Sequence, residues 1–213
     1  LLSSAYLAPV QYYAKLYAYP EVWMEAHEHY VKQTWRNRCL IASPAGTQAL
    51  TVPVVKPDSP KCPVKDIRIS DHGNWRHLHW NALETAYGGS PFFEYYADDF
   101  LPFYTRKWDF LFDFNEAVRL KVCELLDLHP KVRRTASYGL VEGVSPECAA
   151  ASADDFRDRI SPRVAWAEDA AFSPRAYWQV FGQAHGFLPN LSIADLLFNM
   201  GPEGLPVLRD SVA

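Results

Sequence analysis

The sequence predicts a single α/β domain with a mixed β-sheet and a central helical layer. Three observations support this fold class: strand, helix and strand patterns open the chain, two short apolar runs flank a turn, and helical periodicity dominates the middle. A length of 213 residues suits one large domain, so we predict one domain over residues 1–213. Apolar residues at 49% and charged residues at 22% are the balance of a globular protein.

The N-terminal part predicts a βαβ unit. Residues 1–7 are apolar, and residues 10–19 carry apolar side chains at helical spacing. Residues 22–27 then alternate between the two faces expected of a strand. If the strands are parallel, the ligand crevice lies beyond their carboxyl ends. We therefore expect residues 8–11 and 27–37 to border that crevice.

A β-hairpin and a helical layer follow. Apolar runs at 39–42 and 49–54 flank a Pro-Ala-Gly turn, which adds antiparallel strands and makes the predicted sheet mixed. Helical patterns dominate residues 74–128. Less regular patterns predict further strands at 132–144 and 163–167, a helix over 149–160 between them, and a short helix over 193–200.

Charge and hydropathy exclude several classes of protein. The net charge of −4 and the pI near 6.0 argue against a nucleic-acid partner, which needs a basic face. No run approaches the roughly 18 apolar residues of a membrane span, so we predict none. The four cysteines lack the spacing of a disulfide framework, which favours reduced thiols and a cytoplasmic protein.

Residues 27–38 are the densest polar stretch, and they follow the predicted second strand directly. Arg36 and Arg38 offer bidentate forks for a phosphate or carboxylate, and Lys32 offers a point charge. His27 is a candidate general base, since histidine as a residue type can exchange a proton near neutral pH. The alternative interpretation is a solvated loop whose opposite charges pair with one another.

Residues 70–81 are the second polar stretch and predict the start of a helix, which Asp71 or Asn74 can cap. Helical spacing places His79 on the apolar face and His77 on nearly the opposite face. His79 is therefore a candidate general base that must find a hydrogen-bond partner. The alternative is a core histidine bonded to a backbone group.

Other signatures of catalysis are weak. His27 and His29 would share a face of an extended segment, but no third metal ligand can be identified, so we predict no metal-ligating residue. The sequence contains no G-x-S-x-G, Walker or G-x-G-x-x-G motif and identifies no cofactor. Ser192 and Asp195 have the spacing of a helix cap, which is the alternative to a site role for Asp195.

Three motifs together resemble those of the WbqC-like protein family, and the resemblance runs along essentially the whole chain. They are S-A-Y-L-A-P-V-Q-Y-Y at 4–13, H-E-H-Y-V-K-Q-T-W-R-N-R at 27–38 and L-P-N-L-S-I-A-D-L-L-F-N-M-G at 188–201. The matching positions are Pro9, Tyr12, Lys32, Trp35, Asn37, Arg38, Trp75, Ser192, Asp195 and Asn199.

The resemblance implies a role in the biosynthesis of O-antigen or another bacterial surface polysaccharide, with glycyl or another aminoacyl transfer as the activity. The leading hypothesis is a transferase whose partner is a small-molecule sugar or nucleotide sugar. A non-catalytic binding or scaffold protein and a metal-dependent hydrolase are the alternatives. We expect the catalytic residues to be His27, His79 and Asp195, and the substrate-binding residues to be Tyr12, Lys32, Arg36, Asn37, Arg38 and Trp75.

Overall fold

A small parallel sheet opens the fold in the computed structural model, which describes residues 1–145 and 153–213. Strands β1 (Leu2–Ser3), β2 (Val22–Glu25) and β5 (Val132–Arg134) lie side by side in the order β1-β2-β5. Both neighbouring pairs are parallel. Helix α1 (Val10–Ala18) connects β1 to β2, which confirms the predicted βαβ unit.

A β-hairpin follows, formed by β3 (Arg38–Ser43) and β4 (Gly46–Thr51). Gly46 adopts a φ of +109°, a conformation that few other residues tolerate and that lets the turn close. The hairpin is confirmed, but it forms a two-stranded sheet of its own instead of extending the parallel sheet. On the outer edge of β3, the Leu40 carbonyl accepts a hydrogen bond from the Ser192 N–H at 2.8 Å.

Helices supply most of the remaining structure; the sequence predicts those within 74–128 and over 193–200, but not those at 182–185 and 204–210. They are α2 (Trp75–Tyr87), α3 (Phe93–Thr105), α4 (Leu111–Leu125), α5 (Gly182–His185), α6 (Ile193–Met200) and α7 (Gly204–Asp210). Phe198 of α6 is fully buried and packs against Phe93 and Phe100 of α3 and against Tyr87 of α2. Helix α6 therefore lies at the centre of an aromatic core. No helix in the described part of the chain has both the length and the apolar character needed to cross a bilayer.

The region after α4 is less regular than predicted. Of residues 132–144 only Val132–Arg134 form a strand, and the chain then turns through Gly139 and Gly143 with positive φ angles. The predicted strand at 163–167 is wrong, since Trp166–Glu168 form a single 3₁₀ turn.

The predicted helix over 149–160 begins in residues that the structure does not describe, and residues 153–160 are not helical. Cys148 also lies outside the described residues. The Asp155 side chain accepts the backbone N–H of Arg157, a local bond that replaces a helical hydrogen bond at this point. Cys39, Cys62 and Cys123 are free thiols.

Candidate functional site

Arg36 lies at the carboxyl end of the parallel sheet, where the βαβ unit predicts a ligand crevice. Its Nε and Nη2 atoms donate to the two carboxylate oxygens of Glu28 at 2.8 and 2.6 Å. The Nη2 atom also donates to Ser3 Oγ at 3.0 Å. Both charged side chains are buried, at 5% and 7% exposure. Arg36 is thus already neutralised and is not free to grip a substrate phosphate.

Glu25 forms a second buried ion pair at the same edge. Its carboxylate has no exposed surface and accepts hydrogen bonds from Thr135 Oγ1 at 3.0 Å, Gly139 N at 2.7 Å and Arg157 Nη1 at 3.1 Å. Arg157 also pairs with Asp155. Paired charges therefore fill this part of the crevice, and no local motif of the sequence singled out Glu25 or Arg157.

A basic site that is open to solvent lies beside this edge of the parallel sheet, where the loop after β2 meets the first residue of β3 and the last residue of β4. It is a pocket of about 190 Å³. We call it the Lys32–Arg38 pocket; its lining residues are Tyr30, Lys32, Gln33, Asn37, Arg38, Thr51 and Val54. The register of the hairpin pairs Arg38 with Thr51, which brings the end of β4 beside the loop.

The two cations of the Lys32–Arg38 pocket have no acidic partner among residues 1–145 and 153–213. The Nε of Arg38 is buried and makes no hydrogen bond there either. Asn37 is 7% exposed, and its Nδ2 donates to the Val52 carbonyl at 2.9 Å. Its Oδ1 atom is buried without a partner. A buried polar atom without a partner is costly to the fold.

This arrangement offers both donors and an acceptor. Arg38 and Lys32 supply charged donors, which favour a phosphate or carboxylate. Gln33, which is exposed and lines the pocket, supplies an amide acceptor for a hydroxyl or amine. Burial raises the pKa of Tyr30 to about 12, so its hydroxyl stays neutral and can donate or accept at physiological pH. The pocket chemistry suits a group that carries negative charge beside hydroxyls.

His79 lies behind the pocket in a buried aromatic network. Its Nδ1 is 3.0 Å from the Tyr6 hydroxyl, which is 2.8 Å from the Tyr104 hydroxyl. Burial lowers the pKa of His79 to about 4, and a hydrogen bond to the Thr51 backbone opposes that shift. Since the imidazole is 5% exposed and does not line the pocket, these contacts favour the alternative of a core histidine.

Three other predicted site residues do not line the Lys32–Arg38 pocket. His27 is half-buried at the end of β2, and its backbone N–H donates to Glu25. Tyr12 is buried, and its hydroxyl donates to the Ser3 carbonyl at 2.9 Å. Trp75 is also buried and donates from Nε1 to the Ser70 carbonyl at 3.0 Å. Tyr12 and Trp75 thus support the core around the site.

Asp195 belongs to a different polar cluster, on α6. It has no exposed surface and accepts hydrogen bonds from Tyr87 Oη at 3.0 Å, Tyr177 Oη at 2.7 Å and Gln179 Nε2 at 2.8 Å. Burial raises the pKa of Asp195, and the three donors oppose that shift. The Tyr87 hydroxyl also accepts the backbone N–H of Ala42 near the far end of β3.

The predicted residues therefore separate into groups. Lys32, Asn37 and Arg38 meet in one pocket, whereas Asp195 is linked to the opposite end of β3 through Tyr87, whose hydroxyl bonds both Asp195 and Ala42. From Arg38 to Ala42 the strand advances about 13 Å at roughly 3.3 Å per residue. His79 and Asp195 do not line the Lys32–Arg38 pocket, so the three predicted catalytic residues do not converge there. Within the described ranges no group of three or more His, Cys, Asp or Glu residues could hold a metal ion.

Sequence reasoning missed Tyr30, Gln33, Thr51 and Val54 as lining residues. Tyr30 and Gln33 belong to the polar stretch of residues 27–38, so the sequence could have placed them near the site. The pairing of Arg38 with Thr51 follows from the register of the hairpin, which the sequence places only approximately.

Comparisons with known proteins agree with the motifs. A model of the WbqC-like protein family matches residues 4–206. The uncharacterized protein Rv1507c of Mycobacterium tuberculosis (strain ATCC 25618 / H37Rv) is 30% identical over 199 residues, which cover 84% of each chain. No solved structure matches the chain. The chain belongs to the WbqC-like protein family.

Proposed function

We propose that the protein is a transferase that acts on a sugar or sugar nucleotide in the biosynthesis of O-antigen or another cell-surface polysaccharide. The transferred group is glycyl or another aminoacyl group, as the family resemblance implies. In this proposal the Lys32–Arg38 pocket binds the phosphate or carboxylate of the substrate. Family membership supports the pathway, and the chemistry of the pocket supports the anionic substrate.

One observation carries the proposal: Lys32 and Arg38 share a pocket but have no carboxylate partner in the described part of the chain. By contrast, Arg36 is fully paired with Glu28. Arginine binds phosphate or carboxylate through a planar fork of N–H donors. An unpaired arginine and lysine that share one pocket therefore form a site for an anion from solution.

The size of the pocket limits what it encloses. At about 190 Å³ it is smaller than the roughly 300–1,000 Å³ of sites that bury a whole drug-sized ligand. It would hold the charged group of a larger substrate together with adjoining hydroxyls. The exposed amide of Gln33, which lines the pocket, is an acceptor that such a hydroxyl would meet.

The general base is the less complete part of the site. His79 is buried and hydrogen-bonded, so the half-exposed His27 is the histidine that can reach an acceptor amine or hydroxyl. His27 is not a lining residue of the Lys32–Arg38 pocket. The base would therefore act on a part of the substrate that extends beyond the pocket toward the end of β2.

The experiment is a thermal-shift screen against nucleotide sugars, free nucleotides, amino acids and aminoacyl carriers, followed by a mass-spectrometric transfer assay on the ligands that bind. A ligand at 100 times its dissociation constant stabilises a protein by about 2.7 kcal/mol, or roughly 5–10 °C here. The double variant Lys32→Ala/Arg38→Ala should lose that shift. The matched control is Lys61→Ala, an exposed lysine outside the pocket.

Variants at His27 test the catalytic step. His27→Gln should keep the thermal shift and lose turnover, because a base acts on the reaction and not on ground-state binding. Full turnover in His27→Gln would contradict the assignment of the base. A shift that survives in the double variant would contradict the pocket.

A non-catalytic binding protein is the second candidate, favoured by one observation. The residues that line the pocket include no histidine, aspartate or glutamate, which are the commonest general bases. A ligand that binds through Arg38 but gives no product with any amino acid or aminoacyl donor would support this candidate over the transferase.

A further inference from the structure

A second pocket, of about 450 Å³, lies in the loop that surrounds α5. We call it the Trp178 pocket; its lining residues are Tyr177, Trp178, Gln179, Val180, Gly182, Gln183 and Phe187. Its volume is within the range of sites that bind small ligands. It has no counterpart among the motifs that the sequence analysis singled out, apart from the Asp195 cluster behind it.

The wall of the Trp178 pocket is fixed by Asp195. The Tyr177 hydroxyl and Gln179 Nε2 both donate to Asp195 Oδ2, at 2.7 and 2.8 Å. The Gln179 side chain also accepts the backbone N–H of Leu188 at 2.8 Å, which fixes the orientation of its amide. A buried carboxylate therefore holds two lining side chains in one geometry without occupying the pocket itself.

The lining combines aromatic surface with uncharged amides. Trp178 is 53% exposed, which leaves much of a large apolar ring in contact with solvent. The Tyr177 and Phe187 rings contact each other edge to face, with centroids 5.3 Å apart. Gln183 is exposed and offers two amide donors and a carbonyl acceptor. None of the seven lining residues carries a charge, in contrast to the Lys32–Arg38 pocket.

This chemistry fits a neutral sugar ring. A pyranose has a face of C–H bonds that packs on an aromatic ring and an edge of hydroxyls that needs both donors and acceptors, as an amide provides. A charged ligand would have no counterion among the lining residues. The two pockets are thus complementary, one for charge and one for an uncharged ring.

We propose that the Trp178 pocket binds a neutral sugar ring, with Trp178 as the stacking platform, Gln183 as the hydrogen-bonding group and Asp195 as a positioning residue. This inference rests on the proposed function, because it assigns the saccharide part of the substrate to a second subsite. The two subsites lie toward opposite ends of β3: Arg38 lines one, and the cluster behind the other contacts Ala42.

The experiment measures binding of neutral methyl glycosides of hexoses and N-acetylhexosamines to the full chain by saturation-transfer NMR and calorimetry. Trp178→Ala should weaken the best glycoside about tenfold, or about 1.4 kcal/mol. Trp178→Phe keeps a ring and should restore most of the affinity. The matched control is Tyr95→Ala, which removes an aromatic ring that is 77% exposed elsewhere on the surface.

Tyr177→Phe tests the positioning by Asp195, since it removes only the hydroxyl that donates to the carboxylate. It should weaken glycoside binding several-fold while leaving pyrophosphate binding at the Lys32–Arg38 pocket unchanged. A general loss of structure would instead weaken both ligands. Equal glycoside affinity in Tyr177→Phe and the unaltered chain would overturn the positioning role.

The results separate this inference from the proposed function. Absence of any glycoside binding while pyrophosphate still binds overturns the sugar subsite alone. Preferential binding of nucleosides in the Trp178 pocket would also overturn it. If glycoside binding depends on Trp178 but the protein binds no anion, the sugar subsite is supported and the proposed anion site is contradicted.

Discussion

Arg36 and Arg38 lie close together in one motif and have opposite environments. Arg36 is buried against Glu28, with each of the two carboxylate oxygens accepting a hydrogen bond. Arg38 lines an open pocket with a buried Nε that has no partner in the described residues. The first arginine stabilises the fold at the carboxyl edge of the parallel sheet, and the second remains available to a ligand.

The difference shows that charge density alone does not locate a binding group. The same run of residues supplies both a closed ion pair and an open cationic pocket. Burial and ion pairing determine whether an arginine stabilises the fold or stays available to a ligand. Groups in closed networks should affect stability when they are changed, and groups in the open pocket should affect binding.

The largest expected effect is on stability, from Arg36→Ala. Removing one partner of a buried ion pair leaves the Glu28 carboxylate uncompensated and should cost about 3–5 kcal/mol of unfolding free energy. Urea denaturation measures the loss. Arg36→Met combined with Glu28→Leu removes both charges and should recover most of it. A small loss in Arg36→Ala would show that the pair is not closed in solution.

His79 should give a pH dependence to stability. Because burial lowers its pKa from 6.5 to about 4, the folded chain binds fewer protons than the unfolded chain between these values. The unfolding free energy should therefore be highest above pH 6.5 and fall by at most about 3 kcal/mol as pH drops toward 4. Denaturation at several pH values, compared with His79→Gln, isolates this contribution. An unaltered slope in His79→Gln would contradict the assignment.

Lys32→Ala should have a moderate effect on binding. An exposed ammonium acts as a screened point charge, so the dissociation constant of an anionic ligand should rise about two- to five-fold and the difference should shrink at high salt. Calorimetry at two ionic strengths measures this. Lys61→Ala, with a lysine outside the pocket, should leave the constant unchanged.

Arg38→Ala should have the smallest effect on stability. Because Arg38 has no ion-pair partner in the described part of the chain and its buried Nε bonds to nothing there, its removal should lower the unfolding free energy by no more than about 0.5 kcal/mol. The contrast with Arg36→Ala in the same denaturation series tests the distinction between the two arginines. A loss as large as that of Arg36→Ala would place Arg38 in a structural network.

Much of the fold follows from local patterns in the sequence. The βαβ unit, the hairpin and the helices within 74–128 and over 193–200 have regular periodicity or clear turn residues, and these are present. The region after α4 is different, because side chains such as Asp155 bond to their own backbone and Glu25 holds the Gly139 turn from a distant strand. The bond between Glu25 and Gly139 joins residues 114 positions apart in the chain, which no local periodicity predicts.

Part of the candidate site could also be predicted from local patterns in the sequence. The polar stretch of residues 27–38 contains Lys32, Asn37 and Arg38, which line one pocket. One alternative for that stretch was that its opposite charges pair with one another, and Arg36 does pair with Glu28. The sequence could not indicate which arginine would pair. The Asp195 side chain neither caps a helix nor lines the Lys32–Arg38 pocket, because it accepts hydrogen bonds from Tyr87, Tyr177 and Gln179.

The most direct test of the anion site is the affinity for inorganic pyrophosphate, measured by calorimetry on the unaltered chain and on Arg38→Ala and Arg36→Met/Glu28→Leu. The unaltered chain and the double variant should bind with similar dissociation constants, and Arg38→Ala should bind at least about tenfold more weakly, since a hydrogen bond to a charged group is worth about 1.5–3 kcal/mol. Equal binding by Arg38→Ala, or loss of binding only when Arg36 is replaced, would contradict the Lys32–Arg38 pocket as the anion site.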